Sequence, residues 1–216
     1  MKNLIFIGSK ISFFLLMIIA IPILIETDII LRLWLNKVPQ YTVALTRLVL
    51  VVALIESFVI PISVGIQASG KIKYYQICIT FIYSLSFPLT YIFYKTGADP
   101  TAALYILIVL AILNIPVRLF FLERYINITI IDFFYKVLLK SILVFFASII
   151  TPLFIYHFLK AGFFRLLLII FFSLVSSIFF VYFFGLTRSE RKKLNIKKSL
   201  KNFINHVYKK TYIICF

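Results

Sequence analysis

Six long apolar runs, separated by short polar breaks, dominate the chain; they cover residues 4–25, 41–68, 74–94, 101–122, 137–156 and 166–185. Each is close to the roughly 20 residues that a helix needs to cross a hydrocarbon core. Inside a bilayer only α-helices and closed barrels satisfy every backbone polar group. These runs are continuous and do not alternate over ten residues, which selects helices. The pattern predicts an all-α, polytopic membrane protein. A six-span bundle fills residues 1–185, and residues 186–216 form a basic tail on the cytoplasmic side.

Within the runs, polar positions recur at helical spacing. Thr42, Thr46, Ala53, Glu56, Ser63 and Gln67 fall on about a 100° arc of the second span. Gln76, Thr80, Tyr83, Thr90 and Tyr94 share one side of the third. Such stripes face protein or a hydrated cavity, because polar groups are costly against lipid. Two readings stand for the hydroxyls and amides: contacts between helices, or the lining of a substrate path. Glu56 is sharper. A carboxylate near the middle of a span costs on the order of 3 kcal/mol unless paired, hydrated or protonated. It is either a structural partner of a cation on another helix or part of a pathway. Arg47 lies nine residues earlier, about 13 Å along the axis and too far for a direct pair with Glu56. It either snorkels to the headgroups or lines an anionic path. The candidate path residues are therefore Glu56, Thr42, Thr46, Gln67, Gln76, Tyr83 and Arg47. Asn114 and Arg118, one turn apart on the fourth span, read as anchors at the cytoplasmic face.

Composition agrees with the pattern: 63% of residues are hydrophobic and 14% charged, against about 25% charged in soluble domains. The net charge of +16 is unevenly placed, with nine Lys/Arg and one Glu in residues 186–216. With both termini cytoplasmic, the inner side collects seventeen Lys/Arg and the outer side six, as the positive-inside bias requires. The first run follows Lys2 but leads into Glu26 and Asp28 with no small-residue cleavage site, so it is expected to stay as a span. In the turn GIQASGKIKYYQ (65–76), Gly65 and Gly70 are expected to loosen the helix end. Lys71 and Lys73 then hold the turn on anionic inner-leaflet lipid. The tail opens with a capping-box pattern, Thr187-Arg188-Ser189-Glu190. Leu200, Phe203, Ile204, Val207 and Tyr208 follow as an apolar stripe. An amphipathic helix on the inner leaflet is expected, anchored by Arg191, Lys192, Lys193, Lys197 and Lys198. No aromatic RNA-stacking motif or zinc spacing accompanies the basic run, so nucleic acid is not an expected partner.

Residues 133–185 hold fourteen of the 25 phenylalanines, which places the last two spans at the bundle edge with broad lipid contact. Pro22, Pro61, Pro88, Pro116 and Pro152 fall inside spans and bend them; such bends often serve gating in transporters. Phosphate loops, metal-ligand spacings and nucleophile–base sets are missing from the sequence, so neither a cofactor, a metal nor an enzyme activity is expected. Cys78 and Cys215 indicate neither a disulfide frame nor a metal site.

Four stretches carry a resemblance: ILRLWLNKVPQYTVALTRLVLV (30–51), PISVGIQASGKIKYYQ (61–76), FPLTYIFYKTGADPTAALYI (87–106) and GLTRSERKKL (185–194). In order and character they resemble the C-terminal part of polysaccharide (O-antigen) flippases of the multidrug/oligosaccharidyl-lipid/polysaccharide exporter superfamily. The resemblance covers nearly the whole chain. It implies part of the second of two six-helix lobes plus two further helices, in a bacterial inner membrane. It implies a lipid-linked oligosaccharide on a polyprenyl diphosphate carrier as the substrate, moved by alternating access. The first lobe and about two helices of the second would be supplied from outside the present chain, and a lone half-lobe is not expected to transport. Two other functions fit the residues: a non-transporting membrane scaffold or remnant, and an integral-membrane transferase on lipid-linked sugars.

Overall fold

A computed structural model describes residues 2–35, 37–187 and 190. Six helical spans carry them: α1 (Lys2–Trp34), α2 (Thr42–Ala68), α3 (Lys73–Lys95), α4 (Ala102–Ile126), α5 (Ile130–Phe158) and α6 (Phe163–Gly185), each long and apolar enough to cross a membrane. The chain is a multi-pass, all-α membrane protein. There is no strand among the described residues. The amphipathic helix and the anchors Arg191, Lys192, Lys193, Lys197 and Lys198 lie outside the described residues.

Several spans run longer than their apolar patterns: α5 begins seven residues before its run, and α1 and α4 continue past the ends of theirs. The carboxylates of Glu26 and Asp28 do not end α1. Glu26 is buried against a cation, so its charge is compensated and the helix continues to Trp34, with a kink at Glu26 (φ −103°, ψ 26°). The adjoining Thr27 hydroxyl donates to the Ile23 and Leu24 carbonyls, a back-bond that bends helices. In turn, α4 runs four residues past Leu122 and stops at Asn127, a left-handed cap (φ 55°) whose N–H bonds the Glu123 carbonyl. Span α3 is two helices, Lys73–Ser84 and Ser86–Lys95, broken at Leu85. Pro88 has no N–H to return to the Ser84 carbonyl, which is where the ladder fails.

Across the molecule the packing order is α3, α4, α2, α1 and then the α5–α6 pair. The core lies along α1 and α2, where the Phe13 and Phe58 rings stack at 4.0 Å between fully buried Ile21 and Ile62. Between α5 and α6 the buried residues are small. Ser141, Ser148, Ser173, Ser176 and Ser177 are covered, and Ser176 donates to the Ser148 carbonyl at 3.0 Å. Small residues let helices approach closely in lipid, and most of the phenylalanines point outward, while Phe133 is buried against Phe6. The most peripheral span, however, is α3: only 6% of its apolar stretch is buried, against 28% in α5 and in α6. The last two spans form one edge of the packing order, as expected, and α3 forms the opposite, barer edge.

Gly70 turns the chain with φ +76°, as expected of the loop. Gly65 does not loosen a helix end. It is buried inside α2, and a Cβ there would stand 2.5 Å from Ile5 Cδ1 on α1. It is a close-approach position, so Gly65→Val costs about 1–3 kcal/mol by overpacking. Detergent unfolding should show this loss, with recovery when Ile5→Ala is added.

Candidate functional site

Twelve residues in from Ala68, about 18 Å along α2, Glu56 meets side chains of two other helices. Arg118 of α4 brings Nη2 to 3.4 Å from Glu56 Oε2. Tyr83 of α3 donates its hydroxyl to Glu56 Oε1. Arg118 Nη1 also donates to Ser63 Oγ at 2.8 Å, and Ser63 Oγ lies 2.6 Å from the Tyr75 hydroxyl of α3. Ser63 has one proton, and the Val59 carbonyl, which can only accept, takes it at 3.0 Å; Tyr75 is therefore the donor to Ser63. Asn114, one turn before Arg118, is fully buried beside the Tyr83 hydroxyl, and its amide makes no well-aligned hydrogen bond. Arg118 Nε is likewise buried and unbonded. The cluster thus has unused hydrogen-bonding capacity beside a half-shielded carboxylate: the Glu56 side chain is 25% exposed, Arg118 8%.

The structure corrects the reading of Asn114 and Arg118 as cytoplasmic anchors. With α4 running to Ile126, Arg118 sits eight residues inside the helix, about 12 Å from its end, and its charge is turned inward to Glu56. The apolar run ends at Leu122, four residues short of the helix end, which hides the depth of Arg118. The available signals were the i, i+4 spacing of Asn114 and Arg118 and the i, i+7 spacing of Glu56 and Ser63.

Of the path candidates, Glu56 and Tyr83 are brought together. Thr42 and Thr46 share the stripe but lie toward the far end of α2, where Thr46 bonds the Thr42 carbonyl at 2.8 Å. Arg47 is exposed, and its Nε reaches Thr27 Oγ1 of α1 at 3.3 Å. Gln67 is exposed at the loop end, and Gln76 is exposed with its amide 3.5 Å from Thr80 Oγ1. Lys71 and Lys73 are exposed on the turn.

Two further ion pairs stand nearer the ends. Arg165 of α6 holds Glu26 of α1, with Nε 2.6 Å from Oε1 and Nη2 donating to Oε2 at 3.0 Å. Lys10 of α1 pairs with Glu190 at 3.0 Å. Glu190 also accepts from the Thr187 amide at 2.7 Å, the backward half of the expected capping box. Burial pushes the Glu190 carboxyl up, but the Thr187 amide and Lys10 outweigh it and hold it below its ordinary value. At the opposite end of the helices, Tyr41 donates to Asp99 at 3.0 Å, joining the loops that flank α2 and α4. That bond and the Asp99 charge raise the Tyr41 phenol above its ordinary value.

Among the described residues no group of three or more His, Cys, Asp or Glu side chains is placed to hold a metal ion. The chain matches no family model, no curated protein and no solved structure.

Proposed function

We propose that this chain is part of a bacterial inner-membrane flippase for lipid-linked oligosaccharide, with both termini cytoplasmic, and that it acts by binding and translocation without bond making. The observation that carries the reading is the Glu56–Arg118 pair, set deep between α2 and α4 and touched by Tyr83 of the peripheral α3. An arginine fork is the side chain best matched to a diphosphate. Glu56 holds the guanidinium back until a diphosphate competes for the fork and draws Arg118 to the substrate. The polar side of α3, with Gln76 and Thr80 exposed, suits a second helical bundle across the path. Alternating access needs two bundles rocking about a site.

One observation favours a scaffold instead: Glu26, Glu56 and Glu190 are each already paired. Proteoliposomes that hold this chain together with its second helical bundle, and that transport a fluorescent polyprenyl-diphosphate sugar, separate the two. Glu56→Gln keeps the size and the hydrogen bond of Tyr83 while removing the charge. It should lower translocation at least about tenfold, the 1.4 kcal/mol that a decade represents, at unchanged folded yield, while Lys95→Gln leaves the rate alone. Equal rates for Glu56→Gln and the unchanged chain would remove the flippase reading and leave the scaffold.

A further inference from the structure

Between the start of α3 and the end of α4 lies a groove of about 680 Å³ that the Glu56 cluster does not use. The volume is within the roughly 300–1,000 Å³ of ligand pockets. Its mouth carries three cations, Lys71, Lys73 and Arg124, and its walls are aromatic, with Phe120, Phe121 and Tyr125. Lys71 sits 5.8 Å over the Tyr125 ring. Among the described residues no carboxylate pairs with Lys71, Lys73 or Arg124. Glu123 is exposed and does not line the groove. The first turn of α3 opens at the same place with no side-chain cap, so its free amides add partial positive charge.

Uncompensated cations over apolar walls fit a ligand with an anionic head and an apolar body. We infer that this groove is a binding site for a lipid with a terminal phosphate head. The three cations hold the phosphate, and the acyl chains run along Phe120 and Tyr74, both of which face outward. Basic pockets between spans recognise anionic headgroups in this way. A phosphomonoester carries about −1.5 to −2 charges near neutral pH, so it is preferred over a singly charged phosphodiester. A free phosphate ion shares the head chemistry but leaves the aromatic walls empty; the lipid is the source assigned here. The inference stands independently of the role of Glu56.

Cys78 also lines the groove and is exposed, so its alkylation reports occupancy. In a Cys215→Ser background Cys78 is the single thiol. The full chain is purified in detergent and its alkylation by a maleimide is timed. Short-chain phosphatidic acid, phosphatidylglycerol, phosphatidylcholine or inorganic phosphate is added in separate arms. Phosphatidic acid should slow the reaction several-fold and phosphatidylglycerol less. Lys71→Gln/Lys73→Gln/Arg124→Gln should weaken the phosphatidic acid effect at least about tenfold in concentration, from roughly 1 kcal/mol per surface cation. Lys95→Gln/Lys136→Gln/Lys160→Gln, which removes as much charge elsewhere, should leave it intact. A matching alkylation rate without lipid shows that each variant keeps the groove. Native mass spectrometry of the same samples counts retained phosphatidic acid directly. Equal protection by phosphatidylcholine or by inorganic phosphate, no protection by phosphatidic acid, or equal loss in both triple variants would overturn the assignment.

Discussion

Arg165→Leu should lower the stability of the folded chain by about 3–5 kcal/mol, the cost of stranding a buried charge. Glu26 is 1% exposed and has Arg165 as its ion partner. The arginine holds more than the carboxylate. Its Nη1 donates to the Leu159 carbonyl at 3.2 Å, and its guanidinium lies 4.5 Å over the Tyr156 ring. One side chain therefore ties α6 to α1 and to the end of α5. Arg165→Lys keeps the charge but loses the fork, so its cost should be intermediate. Glu26→Leu/Arg165→Leu should regain most of the loss, because a well-packed apolar pair replaces two desolvated charges. Equilibrium unfolding in mixed micelles measures all three. An Arg165→Leu chain as stable as the parent would show that the pair is not a clasp.

Arg118→Leu should cost about 3 kcal/mol, at the lower end of the same range, because the 25% exposed Glu56 side chain keeps some hydration. Here stability and function should part. Glu56→Leu/Arg118→Leu should recover the fold, and a double-mutant cycle should return a coupling of about 1–3 kcal/mol. The same double variant should not translocate, since neither the fork nor its release remains. A double variant that translocates at the parental rate would reduce the pair to a structural contact. The clasp at Glu26 carries no such second expectation.

The number, type and approximate limits of the spans were legible in the sequence, because apolar length is a direct consequence of bilayer thickness. What escaped was everything set by a partner helix. Glu26 looks like the end of a span until Arg165, 139 residues later, is seen beside it. Arg118 looks like an interfacial anchor until α4 is followed to Asn127. Gly65 looks like a turn residue, but the reason for its size is Ile5 on another helix. Helical periodicity picked Glu56 and Tyr83 correctly onto facing stripes. It placed Thr42, Thr46 and Gln67 on the same stripe without separating them by depth, and depth is what divides them from the cluster. Tyr75 lies off the α3 stripe and still reaches Ser63, because a long phenol can cross between neighbouring helices. The peripheral position of α3 was hidden for a different reason: its polar stripe suggests burial, and among the described residues Tyr75 and Tyr83 are the α3 side chains with polar partners on other helices.

All of this depends on six crossings that bring the first turn of α1, the α2–α3 turn and the α4–α5 turn to one face. Impermeant thiol labelling of single cysteines, in a background lacking Cys78 and Cys215, tests it most directly in sealed vesicles of both orientations. Asn3→Cys, Lys71→Cys and Thr129→Cys should label together from one side, and Gly97→Cys and Ala161→Cys only from the other. Lys71→Cys and Thr129→Cys labelling from opposite sides would contradict the arrangement and, with it, the placement of Glu56 and Arg118 at matching depth.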